Sequence, residues 1–224
     1  SAKCWHRHQE KSNRDPSMKR ITLVTGWALC MVIAAVRSAE PTATDELLTK
    51  LAGIEQLQGN FQQVQKGLDG KVMAETSGRF QLLRPGFFSW EILAPDSQLI
   101  VANPEFLWHH DRDLETVTRR LVAGSEQLAP LQVLGGDENI LRERFTVSRS
   151  SEQAWTLIPV AGDPGFQQLV LTFSDGVIEG MEILDSLNQR VEVQFSNLDS
   201  STALSPEDFA FSPPDGVDLF YYDE

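Results

Sequence analysis

The sequence predicts a mainly β fold with short α-helices: one large antiparallel sheet, curled on itself, with helices over its concave face. Two observations carry this. Apolar residues recur at every second position in about eleven short runs, the period of half-buried antiparallel strands. Only three short stretches depart from that rhythm with helical spacing or a helix-start signal. A sheet of ten or eleven strands has to curl, because strand twist accumulates across it. At 41% hydrophobic and 23% charged residues, the composition is that of a globular chain.

Taken in order, the first segment is an address. Residues 1–17 are polar and read as a non-native extension upstream of the true start; Cys4, His6 and His8 within them read as a bland tail. Met18-Lys19-Arg20 is followed by sixteen uncharged residues, 21–36. In a helix these would span about 24 Å, short of the roughly 30 Å hydrocarbon core of a bilayer. A basic start, a short apolar run and then small residues predict a signal peptide over 18–39, cleaved near Ser38 or Ala39. A retained membrane anchor and a lipid on Cys30 are the alternatives. Leu29 speaks against the lipid, because that chemistry wants a small residue directly before the cysteine. Residues 40–224 then form a single domain, long enough for one well-packed core.

Charge follows the same division. Residues 1–39 hold seven Lys/Arg and two acids, so the remainder carries 12 basic against 30 acidic groups, a net of −18, with no cysteine. Such a body is a poor nucleic-acid binder, since phosphate neutralisation needs clustered Lys and Arg. It also excludes a disulfide scaffold and a Cys-ligated metal site.

The body opens with one helix. Thr44 or Asp45 can cap it, Leu47, Leu48, Leu51 and Ile54 share a face, Gly53 weakens it, and Gly59 marks its exit into extended chain. Alternating runs follow at 57–66, 72–82, 88–92, 98–102, 106–110 and 114–118, with Phe80, Leu82, Phe88, Trp90 and Ile92 on one face of consecutive strands. The stretch 121–144 breaks the rhythm. Pro130 opens a short helix through Leu131, Val133 and Leu134, closed by Gly135-Gly136, and Asp137 can cap a second turn through Ile140 and Leu141. Strand-like runs resume at 145–149, 154–159, 167–174, 177–184 and 190–196, with Ser174-Asp175-Gly176 as a hairpin turn. Ser205-Pro206-Glu207-Asp208 is a last short helix start.

Catalytic constellations are thin. His109, His110, Asp111 and Asp113 form the one cluster that suggests a metal, but neighbours in a strand point to opposite faces, so the two histidines do not share an ion. The body has no cysteine nucleophile, G-x-S-x-G, Gly-rich phosphate loop or H-E-x-x-H. Nothing argues for an enzyme, a cofactor or a metal. Arg84-Pro85-Gly86-Phe87-Phe88-Ser89-Trp90 is the most informative segment. Pro85 and Gly86 make a turn between two strands, and Arg84 ends the inward run of Phe80 and Leu82. On residue logic Arg84 is either a solvated arginine at a strand end or one that grips backbone carbonyls of the covering helices. The aromatic stripe is either an ordinary core or a binding surface.

Here a resemblance becomes specific. Gly78-x-Phe80-x-x-x-Arg84-Pro85-Gly86-x-Phe88-x-Trp90 resembles the signature of the LolA family of periplasmic outer-membrane lipoprotein carriers. So do Gln98-x-Ile100-Val101-Ala102-Asn103, Leu107-Trp108, Asp111-x-Asp113-Leu114-Glu115-x-Val117-Thr118 and Phe209-x-Phe211-x-Pro213-Pro214-x-Gly216-Val217. The blocks stand in family order from about 45 to 218. His110 departs from the tyrosine frequent in the family, and the tail Asp218-Leu219-Phe220-Tyr221-Tyr222 is more aromatic than usual, which bears on partner contacts.

The resemblance implies an open, incomplete β-barrel under a helical lid, and a monomeric periplasmic carrier. It would take acylated lipoproteins from the inner-membrane LolCDE transporter and hand them to the outer-membrane receptor LolB. Three acyl chains hold on the order of 45 methylenes, so exposing them to water would cost roughly 36 kcal/mol at about 0.8 each. By the resemblance, Phe80, Leu82, Phe88, Trp90, Ile92, Leu131, Val133 and Leu134 line the acyl-chain cavity and Arg84 latches the lid. A lipid- or lipoprotein-sensing domain of envelope stress signalling is the alternative; it would be followed by a second domain. The anchored receptor, which shares the fold, needs a lipidated cysteine. An esterase is a more distant reading.

Overall fold

The computed structural model describes residues 41–122, 133–135, 138–160 and 165–222. Residues 40–224 form a compact unit distinct from residues 1–39.

This unit opens with α1 (Ala43–Ala52). Thr42 caps it, accepting the Asp45 N–H while the Asp45 carboxylate accepts the Thr42 N–H in a capping box. The cap is thus two residues earlier than Thr44, and Asp45 serves as the reciprocal partner. Gly53 ends the helix, and its buried face is Leu47, Leu48 and Leu51.

Twelve strands follow: β1 (Gln56–Lys66), β2 (Val72–Leu83), β3 (Phe87–Ala94), β4 (Gln98–Ala102), β5 (Phe106–Asp111), β6 (Thr116–Leu121), β7 (Phe145–Arg149), β8 (Ala154–Pro159), β9 (Phe166–Ser174), β10 (Val177–Asp185), β11 (Arg190–Asp199) and β12 (Asp218–Tyr222). Helix α2 (Glu138–Arg144) lies between β6 and β7, and Pro206–Phe209 is a single 3-10 turn between β11 and β12. The strands form one sheet in the order β12-β6-β5-β4-β3-β2-β1-β11-β10-β9-β8-β7. All pairings are antiparallel except that of β12 with β6, which is parallel. Eleven of these strands match the alternating runs. The twelfth, from the aromatic tail, was not expected as a strand. Gly59 lies inside β1, where a register shift against β11 brings the Ser196 carbonyl oxygen to 2.9 Å from where its Cβ would stand. The glycine serves close approach there; the helix exit is already made at Gly53.

The concave face holds the main core. Phe61, Phe80, Leu82, Phe88, Trp90, Val193 and Phe195 from the central strands meet Leu47, Leu48 and Leu51 of α1 and Val133, Leu134 and Leu141 of the segment that follows β6. Arg142 of α2 ties back to Asp45 of α1 at 2.8 Å. The first residues of β2, Val72 to Glu75, are exposed although they alternate, because β1 and β2 outrun the helices that cover the sheet. Gly78 has a steric reason: a Cβ there would lie 1.8 Å from the Glu91 carbonyl oxygen.

On the convex face, the C-terminal segment lays Phe209 against Phe87 (5.7 Å between ring centroids) and Phe211 against Trp108 (5.5 Å) and His110 (5.9 Å). His110 is buried in that contact, and burial pushes its pKa below the usual histidine value, with Arg112 adding to the effect.

Candidate functional site

The turn Arg84-Pro85-Gly86 between β2 and β3 is the point where sheet and cover are fastened. Phe80, Leu82 and Arg84 share parity along β2, so the arginine leaves the strand on the concave side. Its backbone N–H donates to the Glu55 carbonyl at 2.9 Å, which fixes the turn against the exit from α1. Its Nη2 donates to the carbonyl of Leu134 at 2.8 Å. Two residues on, the Gly86 N–H faces the Gly135 carbonyl at 3.4 Å, with Gly86 at φ +81°, a conformation that favours glycine. One turn thus holds two consecutive carbonyls of the helical residues 133–135.

The fastening is weak by construction. Burial pushes the Arg84 pKa below the usual arginine value, and its Nε is buried with no hydrogen-bond partner among the described residues. A charge-assisted hydrogen bond contributes about 1.5–3 kcal/mol net, while a buried unpaired donor costs about 1–3 kcal/mol. The unpaired donor offsets part of what the bond contributes.

Beneath Leu134 lies a cavity lined only by apolar side chains: Leu51, Ile54, Leu57, Phe80, Leu82, Phe88, Leu134, Ile178 and Phe195. Its volume is about 10 Å³, barely room for one water. Around it the aromatic rings are in mutual contact: Phe61 stacks on Trp90 at 3.6 Å between centroids, Phe80 lies 4.9 Å from Phe195, and Phe88 lies 5.9 Å from Trp90.

Of the residues expected at the site, Phe80, Leu82, Phe88 and Leu134 line this cavity. Trp90 and Val133 are buried in the surrounding core, and Ile92 is half-buried against it. Leu131 lies outside the described residues. Leu51, Ile54, Leu57, Ile178 and Phe195 were not among the expected lining residues. The signals were there, in the helical spacing of Leu51 and Ile54, the latter just past the end of α1, and in strand parity for Leu57, Ile178 and Phe195. No local signal tells that α1 and β11 meet β2 and β3 over one space.

The histidine pair behaves as strand geometry requires. His109 sits opposite Ile100 on the concave side and His110 opposite Leu99 on the other. Asp111 accepts the N–H groups of Asp113 and Leu114, and Asp113 accepts that of Ser97, so both acids staple turns. Among the described residues, no group of three or more His, Cys, Asp and Glu side chains could hold a metal ion. No described helix is long and apolar enough to cross a membrane.

A larger groove of about 650 Å³ lies on the convex side, under the C-terminal segment. Its lining includes Gln58, Arg79, Gln81, Glu91, Arg112 and Asp199. Burial of Glu91 alone would raise its pKa, but hydrogen bonds from Arg79 and Arg112 outweigh that and hold it below the usual value. These groups stand beside Phe80, Leu99, Val101 and Phe211, so hydrocarbon placed there would bury charged and amide groups at a cost. The small concave cavity is the apolar site.

Comparison with known proteins agrees with this geometry. The family model for "Outer membrane lipoprotein carrier protein LolA" matches residues 52–212. An outer-membrane lipoprotein carrier protein of Dechloromonas aromatica is 33% identical over 206 residues, covering 90% of this chain and 96% of that one. One from Methylococcus capsulatus is 34% identical over 196 residues, covering 86% and 93%. In structure, an uncharacterised conserved protein of Thermus thermophilus superposes with a TM-score of 0.51 at 14% identity, over 81% of this chain and 100% of that one; that likeness concerns the fold alone. An open sheet with an apolar concave face, the ordered motif blocks and the near full-length relatives converge: the chain belongs to the LolA family of outer membrane lipoprotein carrier proteins.

Proposed function

We propose that the protein is a periplasmic carrier that holds the acyl chains of lipoproteins against the concave face of its sheet, under a lid that opens to admit them. The observation that carries this is the pairing of an all-apolar cavity with a weakly fastened cover. Counted as space open to a water's centre, a cavity needs roughly 10–15 Å³ to hold one water and many times that to hold an acyl chain of about 16 carbons. The closed cavity of about 10 Å³ cannot hold it. Loading therefore moves Leu134 and its neighbours away and breaks the bond from Arg84. Closing remakes that bond and the Leu134 contacts, and so assists release.

In the open state Phe80, Leu82, Phe88, Trp90, Ile92, Leu131, Val133 and Leu134 line the acyl-chain cavity, and Arg84 is the latch. Phe88, beside the latch turn, is the aromatic that accepts cargo from the transporter. Cargo comes from the inner-membrane transporter LolCDE and goes to the outer-membrane receptor LolB. The working form is a single monomeric domain, residues 40–224, left after removal of a signal peptide near Ser38 or Ala39. It is a carrier and not an enzyme. Its −18 charge keeps it off anionic bilayer surfaces.

The test is release of a lipoprotein from inner-membrane vesicles by purified residues 40–224 with transporter and ATP. Lipoprotein recovered in soluble complex with the protein is the expected result. Lipoprotein that stays in the vesicles refutes the reading.

A further inference from the structure

The two ends of the sheet are finished in different ways. At one end, β7 is packed against by α1 and α2 and carries Thr146, Ser148 and Arg149 on its exposed positions. Polar side chains and covering helices are how proteins blunt an edge strand against further pairing. At the other end, β12 pairs with β6 on one side and has no strand on its other side among the described residues. Its own side chains do not blunt it. Leu219, Phe220, Tyr221 and Tyr222 stand in succession, each 43–57% exposed, with no proline and no charge among them.

This strand is held in an extended, ready form. It pairs in register from Asp218 with Thr116 to Tyr222 with Arg120. The Arg119 guanidinium stacks on the Tyr221 ring at 4.6 Å and that of Arg120 on Tyr222 at 5.2 Å. The main-chain cost of ordering an edge is therefore already met before a partner arrives.

Charge selects the occupant. Asp215 and Asp218 stand exposed at the start of the strand, Arg119 and Arg120 lie against Tyr221 and Tyr222 near its other end, and the body as a whole carries −18. A second copy docking strand to strand would run antiparallel under two-fold symmetry. That brings two bodies of −18 together, and their summed repulsion disfavours the pairing. An anionic bilayer meets the same repulsion.

We propose that the outer edge of β12 is a docking site for an extended segment of another protein, with apolar or β-branched residues at its centre and lysine or arginine at the end that meets Asp215 and Asp218. The partner adds as a thirteenth strand. Its main chain pairs with β12, its apolar side chains lie on the exposed aromatic rings, and its basic end meets Asp215 and Asp218. The edge is a separate site from the concave cavity, and its docking does not depend on what that cavity carries.

The probe is a synthetic nonapeptide of alternating valine and threonine flanked by two lysines at each end, with a glutamate-flanked twin as control. Binding to the full chain is measured by titration calorimetry, and its place by amide hydrogen exchange. The lysine peptide should bind, protect the amides of 218–222, and bind at least about ten-fold more tightly than its twin at low salt. Combined Asp215→Lys and Asp218→Lys substitutions, both on exposed positions, should remove that preference. No binding, protection only elsewhere, or a preference unmoved by the charge reversal overturns the proposal. So does dimerisation through 218–222 in sedimentation, or flotation with phosphatidylglycerol vesicles that is lost with those residues.

Discussion

Replacing Arg84 by leucine tests the latch most directly. In the closed structure Nη2 supplies the Leu134 carbonyl with a hydrogen bond at 2.8 Å. Leucine removes it and leaves that carbonyl without its donor. A charge-assisted bond of this kind contributes about 1.5–3 kcal/mol, so the closing equilibrium should weaken by roughly 10- to 150-fold. The Gly86 N–H still faces the Gly135 carbonyl, and the unpaired Nε is gone, so the lower end of that range is the better expectation. Two readouts separate the latch from a general packing effect. Amide exchange in 133–135 and 138–144 should speed up by about ten-fold while the central strands β1 and β2 keep their protection. In transfer assays the variant should load lipoprotein but pass less of it to the receptor, because closing no longer competes with the acyl chains. Arg84→Lys, which keeps a donor and a charge, should restore part of both. Unchanged exchange in 133–144 together with normal handover would falsify the latch.

Three further perturbations probe the same structure. Phe88→Glu places a carboxylate among apolar side chains at a cost of several kcal/mol; it should fail at loading, and intact loading would reduce Phe88 to an ordinary core residue. Gly78→Ala drives a Cβ to 1.8 Å from the Glu91 carbonyl oxygen, so a loss on the order of 3 kcal/mol or more is expected in urea unfolding. A loss under about 0.5 kcal/mol would mean the strands part easily there. The third concerns acid. The pKa of His110 is lowered in the folded state, so as pH falls the unfolded chain takes up the proton first. The stability this protects is present above the unfolded value of about 6.5 and is lost as pH drops through the lowered folded value, at up to about 1.4 kcal/mol per pH unit. His110→Tyr should flatten the fall in stability between pH 7 and 5, and an unchanged slope would show that His110 carries none of it.

Much of the architecture is legible in one dimension because strand parity is a local property. Phe80, Leu82 and Arg84 point the same way whatever they meet, and Asp175-Gly176 takes positive φ at both residues because the turn demands it. Motif order carried the family. The details that failed were those decided by competition between near-equal local choices. Thr42, Thr44 and Asp45 are all acceptable caps, and Thr42 prevails because Asp45 can then return the bond.

The sequence by itself determined the class of fold, the inward face of the central strands, the acidic cysteine-free body and the turn that bears Arg84. Only the tertiary structure decided what those features face. Leu51, Ile54, Leu57, Ile178 and Phe195 share one cavity because β1 pairs with both β2 and β11, bringing together segments far apart along the chain. The Leu134 carbonyl became the partner of Arg84 fifty positions away, and Glu91 was buried between Arg79 and Arg112. Most telling is the aromatic tail, whose strand character depends wholly on lying beside β6. Alternation reports which side of a strand is apolar, but it holds no information about the neighbour. Long-range pairing supplies that, and in this protein it builds both the covered cavity and the uncovered edge.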